Sequence, residues 1–273
     1  MIGVFDSGVG GLSILRALLA ELPAEKYIYL ADSGHAPYGE RDNAHVLARA
    51  RAVTRLLRSQ GIRAMVVACN TATALAIDAL RAEHPDLPII GVEPGLKPAL
   101  EVSKTRRIGV MATRGTLNSE RFRERLAPLG SDAAFVLQAC DGLALAIDNS
   151  IGLPAAMAHD TLRAECQRHT EAMGAFGGGP GEIDTLVLGC THYPLVSHVL
   201  RSLVGPDVEL IDPGQAVARQ TRLRLTAAGV SAIDDPLHAR VKLQSTGDIG
   251  QLRAAARHWL NLQAGDESLP APE

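Results

Sequence analysis

Two cysteines stand where apolar runs give way to small polar residues. Cys69 follows "AMVVA" at 64–68 and precedes Asn70 and Thr71. Cys190 follows "TLVLG" at 185–189 and precedes Thr191 and His192. A single thiol at the end of a buried strand is commonly just a small hydrophobe. Two thiols in matching surroundings ask for more, because packing does not require the match. A thiol has a pKa of about 8.5, lowered near a helix N-terminus, so it can take or give a proton near neutrality. If the two cysteines face each other across a cleft, one thiolate can remove a proton from one face of a small molecule. The other thiol can then deliver a proton to the opposite face. That pairing inverts a carbon stereocentre.

The remaining polar turns supply groups such chemistry needs. "DSGVGG" at 6–11 follows the first apolar run and opens a helix. Its amides are expected to receive a carboxylate, and Asp6 to pair with an ammonium or orient a thiol. "APYGERD" brings Tyr38 and Gly39 after the second apolar run. His192 is close enough in sequence to tune the proton affinity of Cys190. Thr113 and Thr116 occupy the turn equivalent to "DSGVGG" in the second half and are expected chiefly as helix caps.

Alternating strand and helix signals must position these residues. Ile2–Phe5, Tyr27–Leu30, Met65–Ala68 and Ile89–Val92 read as strands without strict polar alternation. Helical spacing runs from Leu12 to Leu22, from Asn43 to Gln60 and from Thr73 to Glu83. Apolar strands joined by amphipathic helices indicate parallel sheets covered on both faces. The pattern then restarts. "RIGVMATRGT" from Arg107 parallels "MIGVFDSGVG" from Met1, and the two Cys segments parallel each other. The cysteines are farther apart than the two I-G-V runs are, so an insertion is expected in the second half, around the glycine-rich stretch 173–184. The expected architecture is α/β: two pseudo-symmetric α/β domains with mainly parallel sheets and the site in the cleft between them. Residues 1–95 with 210–263 form the first domain, a late strand and a helix over Ile249–Leu262 returning to it. Residues 96–209 form the second, and 264–273 a flexible tail.

Composition narrows the class. The 273 residues are 47% hydrophobic and only 3% aromatic, so the core must be built from Ala, Leu, Val and Ile. A net charge of −3 and scattered arginines give no reason to expect nucleic acid or a membrane surface as partner. No basic leader precedes Asp6 and no apolar run approaches the roughly 20 residues of a membrane span, so a cytoplasmic location is expected. The four cysteines form no C-x-x-C pair, which argues against a structural zinc site or a disulfide framework. "GVGGLS" with Asp32 imitates a dinucleotide fingerprint, but Ser13 stands where the third glycine belongs. A two-lobed solute-binding module is the alternative outside enzymology, and it would have no use for opposed thiols.

Taken together, "FDSGVGG", "PYGER", "ACNTAT", "GVEPGLKPA" and "GCTHYPL", in that order, resemble the glutamate racemases of the aspartate/glutamate racemase superfamily. The resemblance covers nearly the whole chain and implies two α/β domains. It further implies racemisation of glutamate with no pyridoxal phosphate, nicotinamide or metal. It implies that Cys69 deprotonates D-glutamate and Cys190 L-glutamate, and that Asp6 and His192 assist. Asp6, Ser7, Tyr38, Gly39, Asn70, Thr71, Thr191 and His192 would line the substrate site, with D-glutamate feeding peptidoglycan synthesis and the protein forming a homodimer. Three departures stand out. Asp148 replaces the glutamate usual after "AC", one methylene shorter. Phe122 replaces a tyrosine, losing a hydroxyl. The chain opens directly on its first strand, so activation through an N-terminal extension, as in some relatives, is not expected. Aspartate racemases share the scaffold and paired thiols and are the nearest enzymatic alternative.

Overall fold

The computed structural model describes residues 1–229 and 241–262. The tail expected at 264–273 lies outside them, as does part of the returning segment.

The first sheet begins with β1 (Ile2–Asp6), followed by helix α1 (Leu12–Glu21), β2 (Tyr27–Ala31), α2 (Asn43–Ser59), β3 (Ala64–Val67), α3 (Asn70–Glu83) and β4 (Ile89–Gly91). All its strands pair in parallel. They are apolar throughout because both faces are covered, and alternate residues serve different cores. Ile2, Val4, Tyr27, Tyr29, Ala64 and Val66 pack with α1 on one face. Phe5, Ile28, Leu30, Met65 and Val67 pack with α2 and α3 on the other. Cys69 continues the register of Met65 and Val67 one step past the strand.

From β4 the chain crosses through Val92–Gly95 to α4 (Leu96–Val102). It then forms β5 (Arg107–Ala112), α5 (Arg114–Asn118), α6 (Glu120–Leu126) and β6 (Ala134–Ala139). After these come α7 (Leu143–Ser150), α8 (Ala155–Glu171), β7 (Thr185–Gly189), α9 (Ser197–Val204) and β8 (Glu209–Ile211). These strands make a second parallel sheet, ordered β8-β7-β5-β6, which repeats the order β4-β3-β1-β2 of the first. Leu186, Leu188 and Cys190 share one core, as Met65, Val67 and Cys69 do in the first half. Helices α2 and α8, each 17 residues, occupy equivalent crossovers. The connection after α8 is the longer one, in keeping with an insertion near 173–184. It is tied down, however: Met173 and Ile183 are buried and Phe176 bridges to Ile183.

The chain returns at Asp212–Pro213 to α10 (Gly214–Ala227), then forms β9 (Val241–Ser245) and α11 (Ile249–Leu260). A boundary at 209/210 would cut β8, whose pairing with β7 runs to Ile211. Strand β9 pairs with β2 at the edge of the first sheet. Helix α11 stops at Asn261, whose left-handed backbone (φ 54°) ends it two residues before the spacing alone suggests. Beside the crossing, Arg121 of α6 pairs with Asp78 of α3 at 2.8 Å and with Glu93 at 2.6 Å, linking the domains ionically. No helix among the described residues is long and apolar enough to cross a membrane.

Helix α1 is anchored by Leu12, Ile14, Leu15 and Leu18, all fully buried. Because it directly follows the Asp6–Gly11 turn, its packing fixes that turn. Leu15→Ala is expected to cost about 2–5 kcal/mol of unfolding free energy. Urea denaturation should show a lower midpoint with an unchanged slope.

Candidate active site

The carboxyl ends of both sheets meet at the domain junction, where a cavity of about 190 Å³ forms. Ligands in open parallel α/β sheets bind at such strand ends. Both cysteines border it. Cys69 is the N-cap of α3, and its sulfur accepts the Ala72 N–H at 3.5 Å. The helix therefore starts at Asn70, three residues before the apolar spacing, which puts Asn70 and Thr71 in its first turn. Cys190 lies in the turn after β7, where the Tyr193 N–H bonds back to its carbonyl. Ser7, Tyr38, Gly39, Asn70, Thr71, Thr113, Asp148, Thr191 and His192 line the same cavity.

Asp6 and Thr116 are adjacent but are not among its lining residues. Asp6 is fully buried, and its Oδ2 accepts the N–H groups of Gly8 and Gly11 at 3.2 and 2.9 Å. Those amides were the ones expected to receive a ligand carboxylate; the turn's own aspartate occupies them. Its Oδ1 is buried without a hydrogen-bond partner. Burial raises the Asp6 carboxyl pKa, against the pull of His192 and the two amides. Thr113 caps α5 by accepting the Thr116 N–H, and Thr113 Oγ1 lies 2.9 Å from Thr71 Oγ1 across the junction. Thr116 stands behind it, 2.9 Å from the same hydroxyl.

Tyr38 reaches the cavity as a wall. Its hydroxyl donates to Asp32 at 2.5 Å, so the phenol is already committed. Asp32 also accepts two bonds from Arg49 and one from Thr246, just beyond β9. Burial opposes ionisation of Asp32, but these donors outweigh it and hold its carboxyl below the usual range. The same bonds remove Asp32 from consideration as a ribose ligand, and Asp6 occupies turn amides a pyrophosphate would need. Both the acidic residue and two of the turn amides that a dinucleotide would use are therefore engaged within the protein. Gly39 packs so tightly on Thr113 that an added Cβ would meet it at 2.8 Å.

The two thiols sit in different electrostatic surroundings. Burial pushes the Cys69 thiol up, the Asp6 charge adds to that, and the Ala72 N–H and the Ser7 hydroxyl (3.6 Å) only partly offset them. Lowering by the helix N-terminus was the expectation; without water, desolvation is the larger effect. Beside Cys190, His192 Nδ1 lies 3.7 Å from the sulfur while Nε2 lies 2.9 Å from Asp148 Oδ1. Burial disfavours the imidazolium, but Asp148 and the Cys190 sulfur overcome it and hold the His192 pKa well above its ordinary value. Asp148, although shorter than glutamate, reaches the imidazole because α7 begins immediately behind the β6 strand end.

Ser33, Cys140, Asp141, Leu145, Asn149 and Gln251 also line the cavity and were not anticipated. Cys140 and Asp141 follow β6, so the strand-end rule that singled out Cys69 and Cys190 applied to them as well. Gln251, on α11, carries no local signal. Among the described residues, no three His, Cys, Asp or Glu side chains gather so as to hold a metal ion.

Comparison with known proteins agrees with the fold and with these strand-end motifs. The family model for Asp/Glu/Hydantoin racemase matches residues 2–221. The glutamate racemase of Methylococcus capsulatus is 47% identical over 230 residues, covering 84% of this chain and 80% of its own. That of Ectopseudomonas mendocina is 43% identical, covering 96% and 95%. Among solved structures, a Bacillus anthracis glutamate racemase superposes with a TM-score of 0.84 at 30% identity, covering 100% of this chain and 97% of that one. The Escherichia coli glutamate racemase, in complex with L-glutamate and an activator, gives 0.81 at 29% identity, covering 98% and 96%. With the match running through both sheets and both cysteine turns, this chain belongs to the Asp/Glu/Hydantoin racemase family.

Proposed function

We propose that this protein interconverts L- and D-glutamate, with Cys69 and Cys190 as the two proton-transferring groups. The observation that carries the reading is that both thiols, each from the strand end of its own sheet, border one small cavity. In the L-to-D direction the Cys190 sulfur takes the α-proton of L-glutamate and Cys69 delivers its own proton to the opposite face. The reverse direction exchanges the roles. His192, protonated and held by Asp148, donates through Nδ1 toward the Cys190 sulfur. Cys69, kept neutral by burial, starts as the acid. The substrate ammonium brings positive charge toward Asp6, whose unpartnered Oδ1 suits it. Asn70, Thr71 and Thr191, with the first-turn amides of α3, offer donors for carboxylate groups. Removal of water strengthens each of these interactions while the α-carbon is deprotonated.

The reading uses protein groups alone and asks for no pyridoxal phosphate, nicotinamide or metal. By resemblance to its relatives, the protein acts in the cytoplasm as a homodimer and supplies D-glutamate for peptidoglycan; the lack of a membrane-crossing helix among the described residues is consistent with this. Its division into domains follows the two sheets, with α10, β9 and α11 belonging to the first. Aspartate has one methylene fewer, a difference worth about 1–3 kcal/mol in a pocket, so it serves as the comparison substrate.

A chiral assay of the purified protein with glutamate and aspartate side by side, run in heavy water, tests the activity. Racemisation of glutamate, with solvent deuterium at the α-carbon of the product enantiomer, is expected. Product lacking that deuterium would count against two exchangeable thiols. Cys69→Ala and Cys190→Ala should each lower the racemisation rate by at least about 100-fold, the scale of a lost acid–base group. Cys166→Ala, deep in the second-domain core, should remain active.

The His192–Asp148 pair predicts a pH effect. Asp148→Asn should move the NMR titration of His192 to lower pH, and an unchanged titration would refute the pairing. The native His192 pKa lies above the unfolded value of about 6.5. The stability it contributes is therefore complete below that pH and lost as pH rises through the native pKa. The deficit of Asp148→Asn in thermal unfolding should accordingly narrow as the solution is made more alkaline.

A further inference from the structure

The turn that carries Cys190 and His192 is held from the other domain. Ser13, in the first turn of α1, is 3% exposed. Its hydroxyl donates to the Thr191 carbonyl at 2.7 Å and also faces the Gly10 carbonyl at 2.9 Å. The shorter contact crosses the junction to the residue between the second thiol and its histidine. Gly10 completes the seat. A Cβ built there would lie 2.2 Å from His192 Nδ1 and 2.5 Å from Cε1, so the imidazole rests directly on the glycine backbone. Gly8 is similarly close to Asp148 Oδ2, 3.2 Å from an added Cβ. The first-domain turn thus contacts every member of the Cys190 side: the backbone beside the thiol, the imidazole and the carboxylate.

We propose that Ser13 is a positioning residue, fixing through its bond to Thr191 where the Cys190 sulfur stands relative to the α-carbon. The proposal rests on the racemase reading above. Proton transfer requires donor and acceptor within hydrogen-bond reach, and a misplacement of about 1 Å can cost 100-fold. Loss of the Ser13 hydroxyl leaves a buried carbonyl without this donor and frees the turn to shift. The shift falls on the Cys190 side, because Cys69 is set by β3 and α3 of the first domain. Proton removal from L-glutamate should slow more than proton removal from D-glutamate.

Ser13→Ala should lower kcat about 10- to 100-fold. The deciding readout is the pair of deuterium isotope effects on kcat/KM, measured with L-glutamate and D-glutamate each labelled at the α-carbon. The effect with the L-enantiomer is expected to rise relative to that with the D-enantiomer. General loosening of the fold would lower rates without altering this ratio. Ser13→Thr and Ser13→Val, near-isosteres differing in the hydroxyl, carry the same test if Ser13→Ala fails to fold: Thr should keep the parental ratio and Val should shift it. An unchanged ratio in both Ala and Val, or equal behaviour of Thr and Val, overturns the role of Ser13 while parental racemisation stands. Absence of racemisation in the parent chain refutes the racemase reading and this proposal with it.

Discussion

Removal of water from sulfur governs this cleft. A thiol loses acidity when it is buried, since its anion gives up more hydration than the neutral form does. Both cysteines are buried, at 5% and 6% exposure. Beside Cys190 the protein has placed an imidazole that a carboxylate keeps charged. Beside Cys69 it offers a long amide contact and a hydroxyl, with a carboxylate nearby that works against ionisation. A pair of chemically identical side chains thereby stands in two distinct polar surroundings, one beside a charged imidazole and one beside a carboxylate.

Position follows from the parallel strands. All strands of each sheet run the same way, so every carboxyl end in a domain opens on the same edge. Bringing the two edges together collects the turns after β1, β2, β3, β5, β6 and β7 around one small space. Glycine makes the close approaches possible. At Gly10 and Gly39 the facing side chain occupies the place of a Cβ, which lets the domains meet backbone to side chain. Tyr38, which lines the cavity, is also part of this framework. Its hydroxyl, Arg49 and Thr246 all converge on Asp32, and that buried carboxylate fastens the loop bearing Tyr38 and Gly39.

The α/β class, the internal duplication and about half of the cavity residues were legible in the sequence, chiefly because they depend on local periodicity and on strand ends. The I-G-V and Cys repeats exposed the symmetry that the sheet orders display. What local pattern does not encode is competition among polar groups. Nothing near Asp6 signals that its own carboxylate would claim the turn amides, and nothing near Asp32 signals a partner as distant in sequence as Thr246. The thiol of Cys69 was misjudged for a related reason. Its place at a helix start is visible in the sequence, whereas the desolvation that outweighs it arises only once both domains are packed. Gln251 was missed because its helix follows a strand added to the far edge of the first sheet, where no repeat guides the reader.

That added strand bears on how the chain is made. Strand β2 has β1 on one side and β9 on the other, and β9 is the last strand among the described residues. During synthesis the first domain exposes the β2 edge from its earliest moments until residues 241–245 emerge from the ribosome. An unpaired edge is a template for wrong partners. The second domain is synthesised in that interval, so a two-lobed intermediate still lacks Thr246 to brace Asp32 and Gln251 to wall the cavity. The cavity is thus incomplete until residues 241–251 have been made and have joined the first sheet.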